Sequence, residues 1–114
     1  MSSDPLTVAD FEVLARERME RTAYDYYAGA AGDELTAALN CRAFDRLLFR
    51  PRVLVDASRV DTSTTVLGER IALPILLAPT AFNKLAAPDG EVAAARAARA
   101  AGTIMVASTI STRL

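Results

Sequence analysis

Pro74-Ile75-Leu76-Leu77-Ala78-Pro79-Thr80-Ala81 and Thr103-Ile104-Met105-Val106-Ala107-Ser108-Thr109 decide the fold. Each is a short apolar run that stops abruptly at small or polar residues. That is the pattern of a strand buried on both faces, and a strand with one wet face does not show it. Between the two runs, Asp89–Ala101 is rich in alanine and reads as a helix. The three segments therefore predict a strand at Ile75–Ala78, a crossover helix, and a parallel strand at Thr103–Ser108, joined with right-handed sense. Small and polar residues then gather at the carboxyl ends of both strands. In α/β folds this is the edge that binds ligands.

The flanking residues punctuate this unit. Pro74 opens the first strand, where a missing N–H is tolerated. Phe82–Pro88 reads as a loop. Asp89 offers a helix N-cap, and Glu91 adds negative charge in the first turn, where the helix dipole favours it. The alanines let the helix approach a sheet closely, with Arg96 and Arg99 on its solvated side, and Gly102 ends it.

Upstream, Thr64–Leu67 and Arg70–Leu73 flank Gly68-Glu69 and predict a β-hairpin. Leu48–Val55 has extended character, with Pro51 blocking a helix. Nearer the N-terminus, Thr7 and Asp10 resemble a capping box, and Phe11, Leu14 and Ala15 fall on one helical face. A helix is expected from about Val8, broken near Arg21-Thr22. A second, Ala23–Ala28, is capped by Gly29. Leu35, Leu39 and Ala43 share a face of a third, Glu34–Phe44.

The chain thus divides into a helical segment (1–47), an extended segment with a hairpin (48–73) and a strand–helix–strand unit (74–114). Two parallel strands cannot cover their own faces or edges. A complete (β/α)8 barrel needs roughly 250 residues, so the 114 residues here are expected to be a piece of a larger α/β enzyme.

Composition excludes several function classes. The net charge is −1, and arginines are scattered among acids, so no nucleic-acid surface is expected. No apolar run approaches the ~18 residues of a membrane span, and no signal peptide opens the chain. Cys41 is the single cysteine, so no internal disulfide forms; it reads as a small packing residue, and a reducing, cytoplasmic setting is expected. There is no histidine, which removes the commonest general base and metal ligand, and no metal site is expected.

Taken together, several segments carry a resemblance. Tyr24-Asp25-Tyr26-Tyr27, continuing through Asp33-Glu34, is similar to the Tyr-Asp-Tyr-Tyr segment of the FMN-dependent α-hydroxy acid oxidases and dehydrogenases, the family that includes glycolate oxidase and lactate oxidase. Asn40-Cys41-Arg42-Ala43-Phe44, Leu48-Phe49-Arg50-Pro51-Arg52, Pro74–Ala81 and Ala100–Met105 also match, in order, from about residue 8 to 112.

The resemblance implies an FMN-binding TIM barrel with its leading helices folded over the barrel mouth. It also implies oxidation of a 2-hydroxy acid to a 2-keto acid, the substrate α-hydrogen passing to flavin N5 and the hydroxyl proton to a histidine. That histidine, two carboxylate-binding arginines and a flavin-contacting lysine belong to later barrel units, so no catalytic residue is assigned here. A homo-oligomeric full-length protein is expected.

Residue by residue, the resemblance makes Tyr26 a substrate-binding phenol, Pro79, Thr80 and Ala81 a backbone that meets the flavin ring, and Ser108 a flavin-contacting hydroxyl. The residues alone leave this open. Tyr24, Tyr26 and Tyr27 read equally as packing residues on an amphipathic helix, Pro79-Thr80 as a strand terminator, and Ser108 as a strand-ending serine. The chain departs from the family at three points. Ala87 stands where a histidine is frequent, Phe82 where a methionine is common, and Ile110 where an aromatic occurs in members. Lys84 keeps a basic loop position and reads as surface. Two other readings stay open: a non-catalytic remnant or partner segment of a barrel, and another FMN- or phosphate-binding TIM barrel.

Overall fold

The computed structural model describes residues 4–113. Helix α1 spans Val8–Arg18. The Thr7 hydroxyl accepts from the Asp10 N–H at 3.3 Å, and the Asp10 carboxylate accepts from the Thr7 N–H at 2.8 Å. This is the reciprocal box that the spacing predicts. Helix α2 spans Arg21–Ala28 and starts two residues earlier than expected. Its cap is Glu20, whose carboxylate accepts from the N–H groups of Thr22 (2.9 Å) and Ala23 (3.1 Å), so the break falls at Met19-Glu20 instead. Gly29 ends α2, donating to the Asp25 carbonyl at 3.0 Å. Helix α3 is Leu35–Phe44. Its expected apolar face is uncovered, with Leu35 and Leu39 exposed, and Cys41 is exposed as well rather than packed.

Residues 48–55 form no regular element and stay exposed. The hairpin follows as β1 (Thr64–Val66) and β2 (Glu69–Ile71), antiparallel with Val66 opposite Glu69. Leu67 and Gly68 both have positive φ, 52° and 89°, which gives the tight turn the handedness that matches strand twist. The turn is therefore Leu67-Gly68, one residue earlier than the expected Gly68-Glu69, so Glu69 belongs to β2; the strands are shorter than expected, and no third strand among the described residues pairs with them.

The two apolar runs lie side by side and parallel, yet their pairing reduces to a single bridge, Leu77 opposite Met105. Leu77 N–H donates to the Ile104 carbonyl and Val106 N–H to the Leu77 carbonyl, both at 3.0 Å. The reason for so short a ladder is visible on each side. The next donor towards the carboxyl end is position 79, a proline with no N–H. Towards the amino end, the Gly102 carbonyl accepts from Ala72 N–H at 2.8 Å, and the Ile75 carbonyl accepts from the Thr103 hydroxyl. The expected burial of both faces is not met either. Ile75, Leu77 and Val106 are exposed, because nothing among the described residues covers them.

Between the runs, Phe82–Pro88 contains a 3₁₀ turn, Asn83–Leu85, and helix α4 spans Gly90–Ala100. Asp89 does not cap α4 as expected. Its backbone is already helical, at φ −78° and ψ −17°, and its side chain makes no capping bond. Arg96 and Arg99 face solvent as expected, while Ala98 is buried. Gly102 closes the unit with φ +69°, and a Cβ there would stand 2.9 Å from the Ala72 Cβ. Both the left-handed turn and the close approach of β2's end to α4's end require glycine. Among the described residues the buried ones are few: Ala23, Ile71, Gly90, Ala98 and, among charged residues, Glu91. No helix among the described residues is long and apolar enough to cross a membrane.

Candidate functional site

The Leu77–Met105 bridge sets the register of the two strand tips. Counting on from that pair, Thr80 falls level with Ser108, so Pro79-Thr80-Ala81 and Ser108 occupy one edge. A further bond ties the loops beyond them, Phe82 N–H donating to the Ile110 carbonyl at 3.3 Å. Among the described residues, the N–H groups of Thr80 and Ala81 meet no acceptor, so this stretch of backbone is open for donation. Ser108 is half-buried, and its Oγ accepts from Ile110 N–H at 3.2 Å. That bond uses a lone pair and leaves the hydroxyl proton for another acceptor.

Helix α2 is carried over this edge by Tyr27. Its hydroxyl lies 2.8 Å from the Phe82 carbonyl and 3.1 Å from the Ala81 carbonyl, sharing one donated proton between two acceptors. Burial raises its pKa, with a further push from Tyr26 and Glu91. Tyr26 packs edge-on against Tyr27, with centroids 5.2 Å apart and planes at 74°, and lies 5.9 Å from the Phe82 ring. It is 50% exposed, so its ring is held on one side and open on the other. Tyr24 does different work. Its hydroxyl donates to the Glu12 carboxylate at 3.2 Å and joins α2 to α1, and burial, followed by that bond, raises its pKa. A hollow of about 490 Å³ lies between these helices and the strand-tip loop, lined by Met19, Tyr24, Tyr27, Thr80, Asn83 and Ala86 among others. Thr80 is the one predicted site residue that lines it; Tyr26, Ala81 and Ser108 do not.

On the far side of the loop, Glu91 is 5% exposed. Its carboxylate accepts from Thr112 Oγ1 at 2.6 Å, Thr112 N–H at 2.7 Å and Asn83 N–H at 3.2 Å. These bonds, the Thr112 hydroxyl foremost, hold its pKa down at about 2. Glu91 thereby pins together the loops that follow both strands. Sequence reasoning missed the structural part played by Tyr27 and Glu91. Tyr27 was legible only as a packing residue and Glu91 only as a first-turn charge, because the partners of both are loop backbones distant in sequence. No group of His, Cys, Asp or Glu among the described residues could hold a metal ion.

The sequence pattern that defines FMN-dependent dehydrogenases matches residues 15–114. This chain belongs to that family. Among relatives of the family, glycolate oxidase 1 of Zea mays is 53% identical over 105 residues, and the glycolate oxidase of Spinacia oleracea is 50% identical over the same length. In each case the match covers 92% of this chain and 28% of the relative, so the chain spans under a third of their length. Among solved structures, a soluble mutant of the membrane-associated (S)-mandelate dehydrogenase from Pseudomonas putida superposes with a TM-score of 0.87 at 40% identity, covering 95% of this chain and 31% of that one. A mandelate oxidase superposes with a TM-score of 0.88 at 38% identity, covering 96% and 32%. The family's cofactor is FMN. The small residues, free N–H groups and hydroxyl donor at the strand tips suit the edge of a planar, acceptor-rich ring.

Proposed function

We propose that residues 1–114 form the N-terminal part of an FMN-binding (β/α)8 barrel enzyme that oxidises a 2-hydroxy acid to a 2-keto acid. Residues 1–47 are the helical segment over the barrel mouth, 48–73 the extended segment and hairpin, and 74–114 the first strand–helix–strand unit. The observation that supports this reading is the level pairing of the Pro79-Thr80-Ala81 and Ser108 strand tips, with Tyr26 of α2 packed against the Phe82 ring just beyond them. The Leu77–Met105 pairing and the Tyr27–Ala81 bond hold this arrangement. The similarity to glycolate oxidases and mandelate dehydrogenases supports the substrate class.

When bound, FMN supplies an acceptor for the substrate's α-hydrogen. This chain's residues do the rest of the work assigned to it. Pro79, Thr80 and Ala81 leave room for close approach of a flat ring to the main chain. The Thr80 and Ala81 N–H groups donate towards charge developing at the ring. Ser108 donates its free hydroxyl proton to a polar ring edge. Tyr26 donates its phenolic proton to the substrate carboxylate, while its ring limits access of water. The histidine base that the family resemblance implies is not among residues 1–114, which hold no histidine; on this reading the 114-residue polypeptide alone neither binds FMN tightly nor oxidises 2-hydroxy acids. The complete enzyme is read as a cytoplasmic homo-oligomer.

The test has two arms. Titration of the isolated polypeptide with FMN, followed by flavin fluorescence, is expected to show no micromolar binding; such binding would count against the division of labour proposed. In the complete enzyme, Tyr26→Phe is expected to weaken substrate binding by about 1–3 kcal/mol through loss of a donor to a buried carboxylate oxygen. Unchanged kinetics would remove Tyr26 from the site.

A further inference from the structure

The bond between Tyr27 and the strand tip joins the helix that carries Tyr26 to the backbone proposed to meet the flavin. Phe82 is the meeting point. Its φ of +52° is left-handed, an unusual state for a bulky residue. Three bonds hold it there. Its carbonyl accepts from Tyr27 Oη and from Leu85 N–H, both at 2.8 Å, and its N–H donates to the Ile110 carbonyl. Its ring rests against Tyr26. Strain of this kind persists only where surrounding contacts over-determine it, and it is found at sites where geometry matters.

We infer that Tyr27 is a positioning residue for the reaction: its hydroxyl fixes the Ala81-Phe82 peptide, and its ring and that of Phe82 fix the phenol of Tyr26. One side chain thereby sets the substrate-facing donor and the flavin-facing backbone in a single rigid relation. In this proposal Tyr27 acts through its neighbours: its hydroxyl is spent on the Ala81 and Phe82 carbonyls and its ring on Tyr26. The inference rests on the function proposed above.

The experiment is rapid-mixing reduction of the flavin-loaded complete enzyme by a 2-hydroxy acid, with the visible flavin spectrum and melting temperature recorded for each variant. Tyr27→Phe keeps the ring and removes the hydroxyl. It is expected to slow flavin reduction about tenfold and to shift the flavin absorption bands, because loss of one positioning bond misaligns reacting groups. Thr22→Ala removes a hydroxyl from the same helix that, among the described residues, bonds only to Glu20 and lines no part of the hollow, and is expected to leave rate and spectrum within about twofold of wild type.

A Tyr27→Phe enzyme that melts earlier yet keeps wild-type rate and spectrum overturns the inference and leaves Tyr27 a merely structural residue. Should Tyr27→Phe fail to fold, a fluorinated tyrosine at position 27 keeps the shape and alters only hydroxyl acidity. A reduction rate that ignores that change overturns the inference equally. A wild-type enzyme that binds no flavin, or whose flavin no 2-hydroxy acid reduces, overturns the proposed function and this inference together. Normal wild-type reduction beside an unaffected variant overturns the inference alone.

Discussion

Replacing Gly102 by alanine tests how β2 and α4 are joined. Gly102 sits at φ +69°, and an added Cβ would lie 2.9 Å from the Ala72 Cβ. Two costs follow. The left-handed backbone costs an L-residue roughly 1–2 kcal/mol. Forcing a methyl into an occupied space costs roughly 1–3 kcal/mol, because the Ala72 N–H is already tied to the Gly102 carbonyl at 2.8 Å and cannot simply back away. Alanine also restricts the unfolded chain and returns about 0.4–1 kcal/mol. The net expectation is a loss of about 1–5 kcal/mol, centred on roughly 3 kcal/mol. Gly68→Ala is the internal comparison, since Gly68 has φ +89° and nothing within 4 Å of its would-be Cβ. It carries the backbone cost alone, about 1 kcal/mol. Urea unfolding monitored by circular dichroism, with an unchanged denaturant slope, measures both. Ala72→Gly added to Gly102→Ala is expected to recover the steric share through coupling of adjacent sites. If Gly102→Ala costs no more than Gly68→Ala, or if Ala72→Gly gives no recovery, the close-contact argument is wrong.

Other outcomes follow from the same geometry. Glu91 has a folded pKa of about 2 against an ordinary value of 4.5. Its contribution to stability is therefore complete above about pH 4.5 and is lost as the pH falls towards about 2. Carboxyl NMR titration is expected to show this low midpoint, and Thr112→Val to raise it by removing the hydroxyl donor. Leu67→Asn, at an exposed position with φ 52°, is expected to stabilise the hairpin by up to about 1 kcal/mol, read as a higher unfolding midpoint. Thr7→Ala removes one half of the capping box and is expected to cost about 1 kcal/mol, seen as fraying of α1 in amide hydrogen exchange.

Local signals in the sequence located the elements well. The Thr7/Asp10 spacing marked the start of α1, Gly68 the hairpin turn and Gly102 the end of α4, because each depends on residues within a few positions. Gly29 likewise marked the end of α2. The two apolar runs correctly announced parallel neighbours, and the register they adopt aligns Thr80 with Ser108. What sequence could not convey was competition for the same backbone group. The Gly102 carbonyl is taken by Ala72 and the Ile75 carbonyl by the Thr103 hydroxyl, which truncates the ladder to one bridge. Asp89 looked like the cap, yet the Glu91 carboxylate, two positions on, gathers the loop donors. Within the candidate site, Tyr26, Pro79, Thr80, Ala81 and Ser108 were legible through resemblance to a family, and the bond between Tyr27 and the loop only from the structure.

The Tyr27 clasp has a consequence for biogenesis. α1 and α2 can pair as soon as they leave the ribosome, since Tyr24 and Glu12 are only 12 positions apart. The carbonyl that receives Tyr27 is 54 positions further along. At translation speeds of about 5–20 residues per second, the helical pair waits roughly 3–11 s for its seat to be synthesised. A pause or a chaperone acting in that interval would govern how many nascent chains dock their leading helices correctly.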